Sequence, residues 1–407
     1  MQKLTQNLKI YNTMTMEKEP FQPFVPGKVN MFVCGPTVQG YMHIGHARTY
    51  IFYDVLARYL SHIGYEVNFL MNITDIDDRI TVAAKSQGLD PEKYADGYAK
   101  VFVEDMNQLR ILTVTSFERV SNYIPEMIRQ ISTLIAKKHA YVTGGEVFFD
   151  TSTFPEYGRL SHQTQLDLSL RPLEISSKKR GLVDFALWRS VSLVDGEWSS
   201  PWGVGSPGWH IQDTALSMNN FGPQYDIHGG AYDLIYPHHE AEIAQAESVS
   251  GVKPFVKYWV HTRLVNLKGA KMSKSEGNVL NVRDALHDFS PDQLRLYFLS
   301  THYRTDAEFD ERKLKKVGDS YNEIKQMAKG IEEHRSARAR RRDSSKVLQP
   351  VYDALNDDMD TPKAVEFLMK LANDGAREKD PNQVELYYES LRAASNILGV
   401  DLFGPTR

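Results

Sequence analysis

The chain has 407 residues, 42% hydrophobic and 25% charged, with a net charge of −4. This excludes a disordered or fibrous chain, leaves room for two or three domains, and restricts any nucleic-acid contact to local basic patches. A single cysteine, Cys34, excludes an internal disulfide framework and suits a reducing cytoplasm; no apolar run reaches the ~18 residues of a membrane span, and the start MQKLTQNLKIYN lacks the apolar region of an export signal.

Residues 1–28 read as an irregular lead-in, with turn signals at Pro20, Pro23 and Pro26-Gly27. Met31-Phe32-Val33 has the composition of a buried strand, which Gly35-Pro36 ends. His43-Ile44-Gly45-His46 then opens a helix whose apolar face over 51–63 includes Val55, Leu56, Tyr59 and Leu60. A strand, a Gly/Pro turn and a helix N-terminus form a phosphate site, because unpaired backbone N–H groups and the helix dipole both favour an anion. His43 and His46, three apart, share a helix face and can donate to phosphate oxygens. Residues 65–71 are a second strand, so the order is βαβ and the sheet parallel, with ligand at the strand C-termini. Helices follow at 77–88, 91–112 and 124–138.

From about 115 to 200 the pattern changes to short strands and turns, at 144–150 and 161–169. Strands at 225–228 and 258–261 then flank a helix at 238–250. Lys271-Met272-Ser273-Lys274-Ser275 lies between Gly269 and Gly277-Asn278 and reads as a loop. Its two ammonium groups suit charge neutralisation at a phosphoryl centre. Beyond Asp306 the chain is helical, at 312–333, 346–357, 361–378 and 382–398, which predicts a four-helix bundle. The arginine-rich stretch from Arg335 to Arg342 is either a solvated loop or a contact for a phosphate backbone.

The blocks FVCGPTV, HIGHARTY, NITDIDDRI, DFALW, SPWGVGSPGWHI, DIHGGAYDLIYPHHEAEIAQAE and KMSKSEGN occur in this order. Together they resemble the class I aminoacyl-tRNA synthetases and, among these, the cysteinyl-tRNA synthetases, over nearly the whole chain. The fold expected is α/β: a Rossmann-type doubly wound parallel sheet with an inserted domain, followed by an all-α helix bundle. Its parts would be the first half of the catalytic domain at 1–114, the insertion at 115–200, the second half at 201–304 and a tRNA-contacting bundle at 305–407. The resemblance implies ATP-dependent activation of cysteine to cysteinyl-AMP and transfer to the 3′ end of tRNA(Cys), by a cytoplasmic monomer. His43, His46, Lys271 and Lys274 would be catalytic. Gly35, Thr37, Gly45, Asp226, Gly229 and Gly230 would join His43, His46 and Lys274 around Mg²⁺-ATP. Thr74 and Trp209 would contact the amino acid, although Trp209 also suits a core aromatic, and His210 is either a pocket wall or a structural histidine.

The family holds one zinc, which grips the substrate thiolate. Its ligands carry over to Cys34, position 213, His238 and Glu242, the last two sharing a helix face at four-residue spacing. Where the family has cysteine, this chain has Asp213. Either Asp213 is an oxygen ligand, or the metal site has decayed and cysteine specificity with it. The first is favoured, because the other three ligands are intact and a carboxylate can itself ligate. The chain also ends soon after the bundle, where family members continue into an anticodon-reading domain. That leaves room for a compact synthetase, for a truncated one, for a paralogous ligase with an acceptor such as an amino sugar, and for a non-catalytic RNA-binding relative.

Overall fold

The computed structural model describes residues 7–170, 176–190, 198–267, 269–271, 279–335 and 344–404. The chain enters through an antiparallel hairpin, β1 (Lys9–Asn12) and β2 (Glu17–Pro20), where the sequence reads as irregular. Four-residue strands ending in EKEP carry too little apolar alternation to be legible. They form because other parts of the chain hold them: the Tyr11 N–H donates to Asp358 Oδ1 at 2.8 Å and the Asp358 N–H to the Lys9 carbonyl at 2.9 Å.

Next come β3 (Lys28–Val33), α1 (Ile44–His62) and β4 (Glu66–Ile73), the expected βαβ unit. After α2 (Asp78–Ser86) and α3 (Pro91–Gln108), β5 (Ser116–Arg119) pairs in parallel with β4. β5 falls within the range 115–200 read as the insertion, yet it is the edge strand of the parallel sheet. Then follow α4 (Ile124–Ala136) and an antiparallel sheet made from β6 (Ala140–Thr143), β7 (Glu146–Phe149), β8 (Phe185–Arg189), β9 (Trp198–Ser200) and β10 (Gly203–Pro207). A one-turn helix, α5 (Gln165–Ser169), sits between β7 and β8.

The parallel sheet resumes with α6 (Trp209–Phe221), β11 (Tyr225–Ala231), α7 (Glu240–Ser250) and β12 (Val256–Thr262). Its order is β12-β11-β3-β4-β5, with every pair parallel. Strands 3 to 5 build outward one way from β3, and β11 and β12 build the other way. The boundary between β3 and β11 is therefore the switch point, where such sheets bind ligands beyond the strand C-termini.

A small sheet of β13 (Val265–Leu267), β14 (Ala270–Lys271) and β15 (Ala307–Phe309) brackets α8 (Val282–Asp288) and α9 (Pro291–Leu299). Four helices close the fold: α10 (Glu311–Glu333), α11 (Ser345–Asn356), α12 (Thr361–Arg377) and α13 (Pro381–Leu398). Their limits follow from local chemistry. Asp310, Asp360 and Asp380 accept from first-turn N–H groups, prolines follow the caps of α12 and α13, and Gly399 at φ 69° ends α13.

The period of two along each strand sorts side chains to opposite faces. Val29, Met31 and Val33 join the core shared by α1 and the four-helix bundle, while Phe32 joins the core under α4, α6 and α7. Phe69 and Met71 oppose Leu70 in the same way, as do Tyr258 and Val260 opposite Trp259. The sheet is thus buried on both faces, and one continuous core joins the bundle to α1.

That junction also holds a buried ion pair. Arg295 of α9 donates to Asp54 Oδ2 of α1 at 2.8 Å, and to the carbonyls of Leu109, Arg110 and Leu398. Asp54 also accepts from Arg58 Nε and from the N–H groups of Leu112 and Thr113. Burial alone would raise the Asp54 carboxyl, but Arg295, Arg58 and these donors hold it below the usual aspartate value. Its stabilisation is therefore complete above the unfolded value near ~3.9 and is lost as pH falls through the depressed folded one. Arg295→Ala, which strands a buried carboxylate, is expected to cost about 3–5 kcal/mol in urea unfolding at pH 7. Much of that difference should vanish on acidification to pH 3, where the parent also loses part of the pair.

Candidate active site

The strand alternation that sends Phe32 toward α6 and α7 sends Cys34 the same way, one residue beyond the end of β3. Gly35 follows because nothing larger fits: a Cβ there would lie 1.7 Å from the Asn72 carbonyl oxygen. Asn72, near the C-terminal end of β4, ties the two strand ends together. Its Oδ1 accepts from the Gly35 N–H at 2.5 Å, and its Nδ2 donates to Thr74 Oγ1 at 3.2 Å and to Asp213 Oδ1 at 2.9 Å. The sequence reading did not single out Asn72. A lone asparagine at a strand end carries no spacing signal.

Cys34, Asp213, His238 and Glu242 meet here, each offering one ligand atom within 4.8 Å of the others. Asp213 comes from α6 and Glu242 from α7. His238 comes from the kinked turn before α7, where Tyr236 takes extended angles of φ −128° and ψ 131°. Cys34 Sγ lies 3.2 Å from Asp213 Oδ2, and His238 Nε2 lies 3.0 Å from the same oxygen and 3.1 Å from Glu242 Oε1. The other ring nitrogen of His238 meets His210 Nδ1 at 2.9 Å, and Trp209 stacks on the ring at 4.2 Å. His210 is thus an orienting neighbour of His238.

These residues fit a divalent cation. Three of the four are acids, all four are buried, and among the described residues no lysine or arginine forms an ion pair with any of them. Burial first, then Asp213 and Glu242, pushes the Cys34 thiol well above its usual value; burial and Asp213 push Glu242 up likewise. Both Glu242 oxygens are buried without a hydrogen-bond donor, because His238 Nε2 is engaged by Asp213. A cation supplies what all three acids lack. A second group, Cys34, His228, His239 and Glu242, overlaps the first. His228 and His239 do not line the adjoining cavity, whereas Cys34, Asp213 and His238 do. A metal reached from the cavity therefore belongs to the first group. His228 and His239 stand behind it, held by the Tyr225 hydroxyl at 2.6 Å and by His261 Nε2 at 2.8 Å.

The cavity, about 560 Å³, is also lined by Gly35, Thr37, His43, His46, Thr74 and Trp209. His43 is the N-cap of α1. Its Nδ1 accepts from the N–H groups of Gly45 at 3.1 Å and His46 at 3.4 Å, and His46 Nδ1 accepts from the His43 N–H. The rings stack at 3.7 Å. The Ile44 N–H donates to the Leu280 carbonyl. The expectation of unpaired backbone N–H groups at this helix start is therefore corrected: those of Ile44, Gly45 and His46 are already bonded. With Nδ1 of each ring accepting, the ring hydrogen sits on Nε2, so any donor to an anion is the imidazole itself. Gly45 does not line the cavity.

Asp226, Gly229 and Gly230 do not line it either. Asp226 is buried in β11 and accepts from the Phe24 and Asn30 N–H groups, at 2.6 and 2.8 Å. A Cβ on Gly229 would lie 2.4 Å from the Tyr53 ring of α1, and one on Gly230 would lie 2.9 Å from Leu234 Cδ1. These glycines admit neighbouring side chains; beside Asp213, the acid at the cavity is Asp233, seven residues past Asp226. Among the described residues lining the cavity, Arg79 has the fixed positive charge, and it donates to Thr37 Oγ1 at 3.0 Å. Lys271 ends β14, while Lys274 and all but the first residue of the 335–342 stretch lie outside the described residues.

With this geometry in view, comparison with known proteins is informative. The family of tRNA synthetases class I (C) catalytic domain matches residues 20–319. The chain is 41% identical to the cysteine–tRNA ligase of Thermoplasma acidophilum, covering 90% of this chain and 81% of that protein. It is 38% identical to the cysteine–tRNA ligase of Heliobacterium modesticaldum, covering 98% and 88%. Among solved structures it is similar to Mycobacterium tuberculosis methionyl-tRNA synthetase, with a TM-score of 0.65 over 91% of this chain and 89% of that one, at 15% identity. A leucyl-tRNA synthetase from Agrobacterium radiobacter gives a TM-score of 0.69 over 93% and 84%, at 12% identity. These two likenesses concern the fold.

Elemental analysis of the purified protein is expected to find about one zinc per chain. Glu242→Gln, which keeps the shape and removes the charge, should bind it at least about tenfold more weakly in a chelator competition.

Proposed function

This chain belongs to the cysteine–tRNA ligase family of the class I tRNA synthetases, and we propose on that premise that it joins cysteine to tRNA(Cys) in two steps within one cavity. The observation that carries the reading is that Cys34, Asp213 and His238 line the same cavity as His43 and His46. A sulfur-selective centre and a pair of phosphate donors thus face one substrate space.

Zinc, when bound by Cys34, Asp213, His238 and Glu242, supplies affinity for a thiolate that a serine hydroxyl does not match. Asp213 keeps the formal charge of the ligand set at three anions and one imidazole. Asn72 fixes the other oxygen of that carboxylate, and His210 fixes the ring of His238. Thr74 and Trp209 bound the amino acid. The cysteine carboxylate attacks the α-phosphorus of Mg²⁺-ATP, an O–P bond forms, the bond to the bridging oxygen breaks, and pyrophosphate leaves. His43 and His46 donate to the phosphates through Nε2, and Lys271 and Lys274 neutralise the charge that develops on them. The 3′-terminal ribose hydroxyl of tRNA then attacks the cysteinyl carbonyl, AMP leaves, and the hydroxyl proton passes to solvent. No protein nucleophile is needed, because positioning and electrostatics suffice. Among the described residues no helix is long and apolar enough to cross a membrane; a monomer acting in the cytoplasm completes the proposal.

Cysteine-dependent ATP–pyrophosphate exchange is the test of activation, and charging of a tRNA(Cys) transcript the test of the acceptor. An amino sugar accepted in place of tRNA would overturn the second step. Asp213→Ala should raise the cysteine KM at least about tenfold, and Asp213→Cys should restore it. Lys274→Ala should lower the exchange kcat about 10²-fold with the cysteine KM little changed; a collapse of cysteine affinity would contradict its role at the phosphates.

A further inference from the structure

Two residues after His46, α1 carries Arg48, a residue only 3% exposed. Its Nη1 donates to the carbonyls of Arg263 at 2.9 Å and Leu264 at 2.7 Å. Its Nη2 donates to the carbonyls of His302 at 3.1 Å and Thr305. The first pair of carbonyls lies where the chain leaves β12 for the β13–β14 hairpin that ends in Lys271. The second pair lies in the turn between α9 and β15, the strand that pairs with β13. One side chain on the helix that follows His43 therefore holds both chain segments that lead into the sheet of β13, β14 and β15.

We propose that Arg48 is a positioning residue that sets the separation between the His43–His46 end of α1 and the hairpin carrying Lys271. The proposal rests on the reading of this cavity as a cysteine-activating site and adds a residue that touches no substrate.

Other contacts make the coupling specific. The Leu264 N–H donates to Asp306 Oδ1 at 3.1 Å, the Arg263 N–H to the Tyr303 carbonyl at 2.7 Å and the Ala307 N–H to the Leu264 carbonyl at 3.0 Å. The two segments are thus already bonded to each other, and Arg48 fastens the pair to α1. On the next residue, Thr49 Oγ1 meets Thr262 Oγ1 at 2.8 Å, and one turn further on the Tyr53 hydroxyl donates to the Val260 carbonyl at 2.6 Å, so the end of β12 is fixed to the same helix. On the far side of the second motif, the Val282 N–H donates to the Met42 carbonyl at 2.8 Å and the Ile44 N–H to Leu280. The chain thus leaves and re-enters α1's first turns on either side of that motif.

The chemistry calls for arginine. Burial pushes its guanidinium down to about 10, against which the nearby Asp306 acts, so it stays charged at neutral pH. Charge-assisted donors in a planar fork reach two carbonyls on each side. A lysine ammonium is a single point at the end of a flexible stem and cannot span both segments.

Arg48→Lys and Arg48→Gln test this by exchange kinetics and amide hydrogen exchange on the full chain. Both variants are expected to lower the kcat of cysteine-dependent ATP–pyrophosphate exchange about 10²-fold, the scale of a ~1 Å misplacement, with the cysteine KM within twofold. Amides of β13 should exchange faster while those in the second half of α1 keep their protection. Parent-like kcat in Arg48→Lys would overturn the proposal, and so would loss of protection along the whole chain, which marks a general structural role. Absence of exchange activity in the parent protein would instead overturn the functional reading, and the β13 measurement would still decide whether Arg48 fixes the hairpin.

Discussion

Three acids, the Cys34 thiol and the carboxyls of Asp213 and Glu242, converge in a buried cluster between the β3 and β4 strand ends on one side and α6 and α7 on the other. Burying one unpaired carboxylate is expensive; burying two beside a thiol is tolerable only if protons or a cation neutralise them. Among the described residues, no lysine or arginine is in an ion pair with Cys34, Asp213 or Glu242. Behind the acids stand His228, His239 and His210, and burial pushes all three rings well below their usual value, so they remain neutral. The cluster is therefore built at the expense of stability, and a metal ion offsets that cost when bound. Function explains its place: it lies at the one sheet boundary where a ligand can approach strand ends from outside.

The carboxylate at position 213 also explains why the neighbours matter. A carboxylate has two oxygens and can turn toward either, whereas a thiolate has one sulfur. Asn72 removes that freedom by donating to Oδ1, which leaves Oδ2 facing Cys34 and His238. The same Asn72 accepts from the Gly35 N–H, so the loop that leads toward His43 and the acid of α6 share one anchor. The acid cluster and the loop toward His43 are joined through that amide.

Much of this was legible in the sequence. Strand alternation around Phe32 and Met71, the helix of Leu56 and Leu60, and the four closing helices follow local patterns that the structure obeys. The resemblance named Cys34, Asp213, His238 and Glu242 together, and the structure brings these four side chains to one place. What escaped was long-range. The β1–β2 hairpin exists because Asp358, more than 300 residues away, satisfies its backbone. Gly229 was expected beside Mg²⁺-ATP, but it does not line the cavity and its missing Cβ admits the Tyr53 ring. A glycine records that something approaches the backbone closely; it does not record what.

The helix start at His43 shows the same limit and turns it into mechanism. A strand, a turn and a helix N-terminus ordinarily offer N–H groups to an anion, yet here the His43 ring takes those of Gly45 and His46, and the Leu280 carbonyl takes that of Ile44. The helix dipole still points at the cavity, but the groups that can contact phosphate are the side chains that cap it. Capping fixes each ring by its Nδ1 and thereby aims Nε2–H, so the motif needs histidine at both positions: a serine would cap the helix and have nothing left to donate with the same reach. The stacking of the rings at 3.7 Å holds the two donors side by side. Among the described residues of the cavity wall the fixed positive charge is that of Arg79, while Arg48 ties this same helix to the segments that lead into β13 and β15.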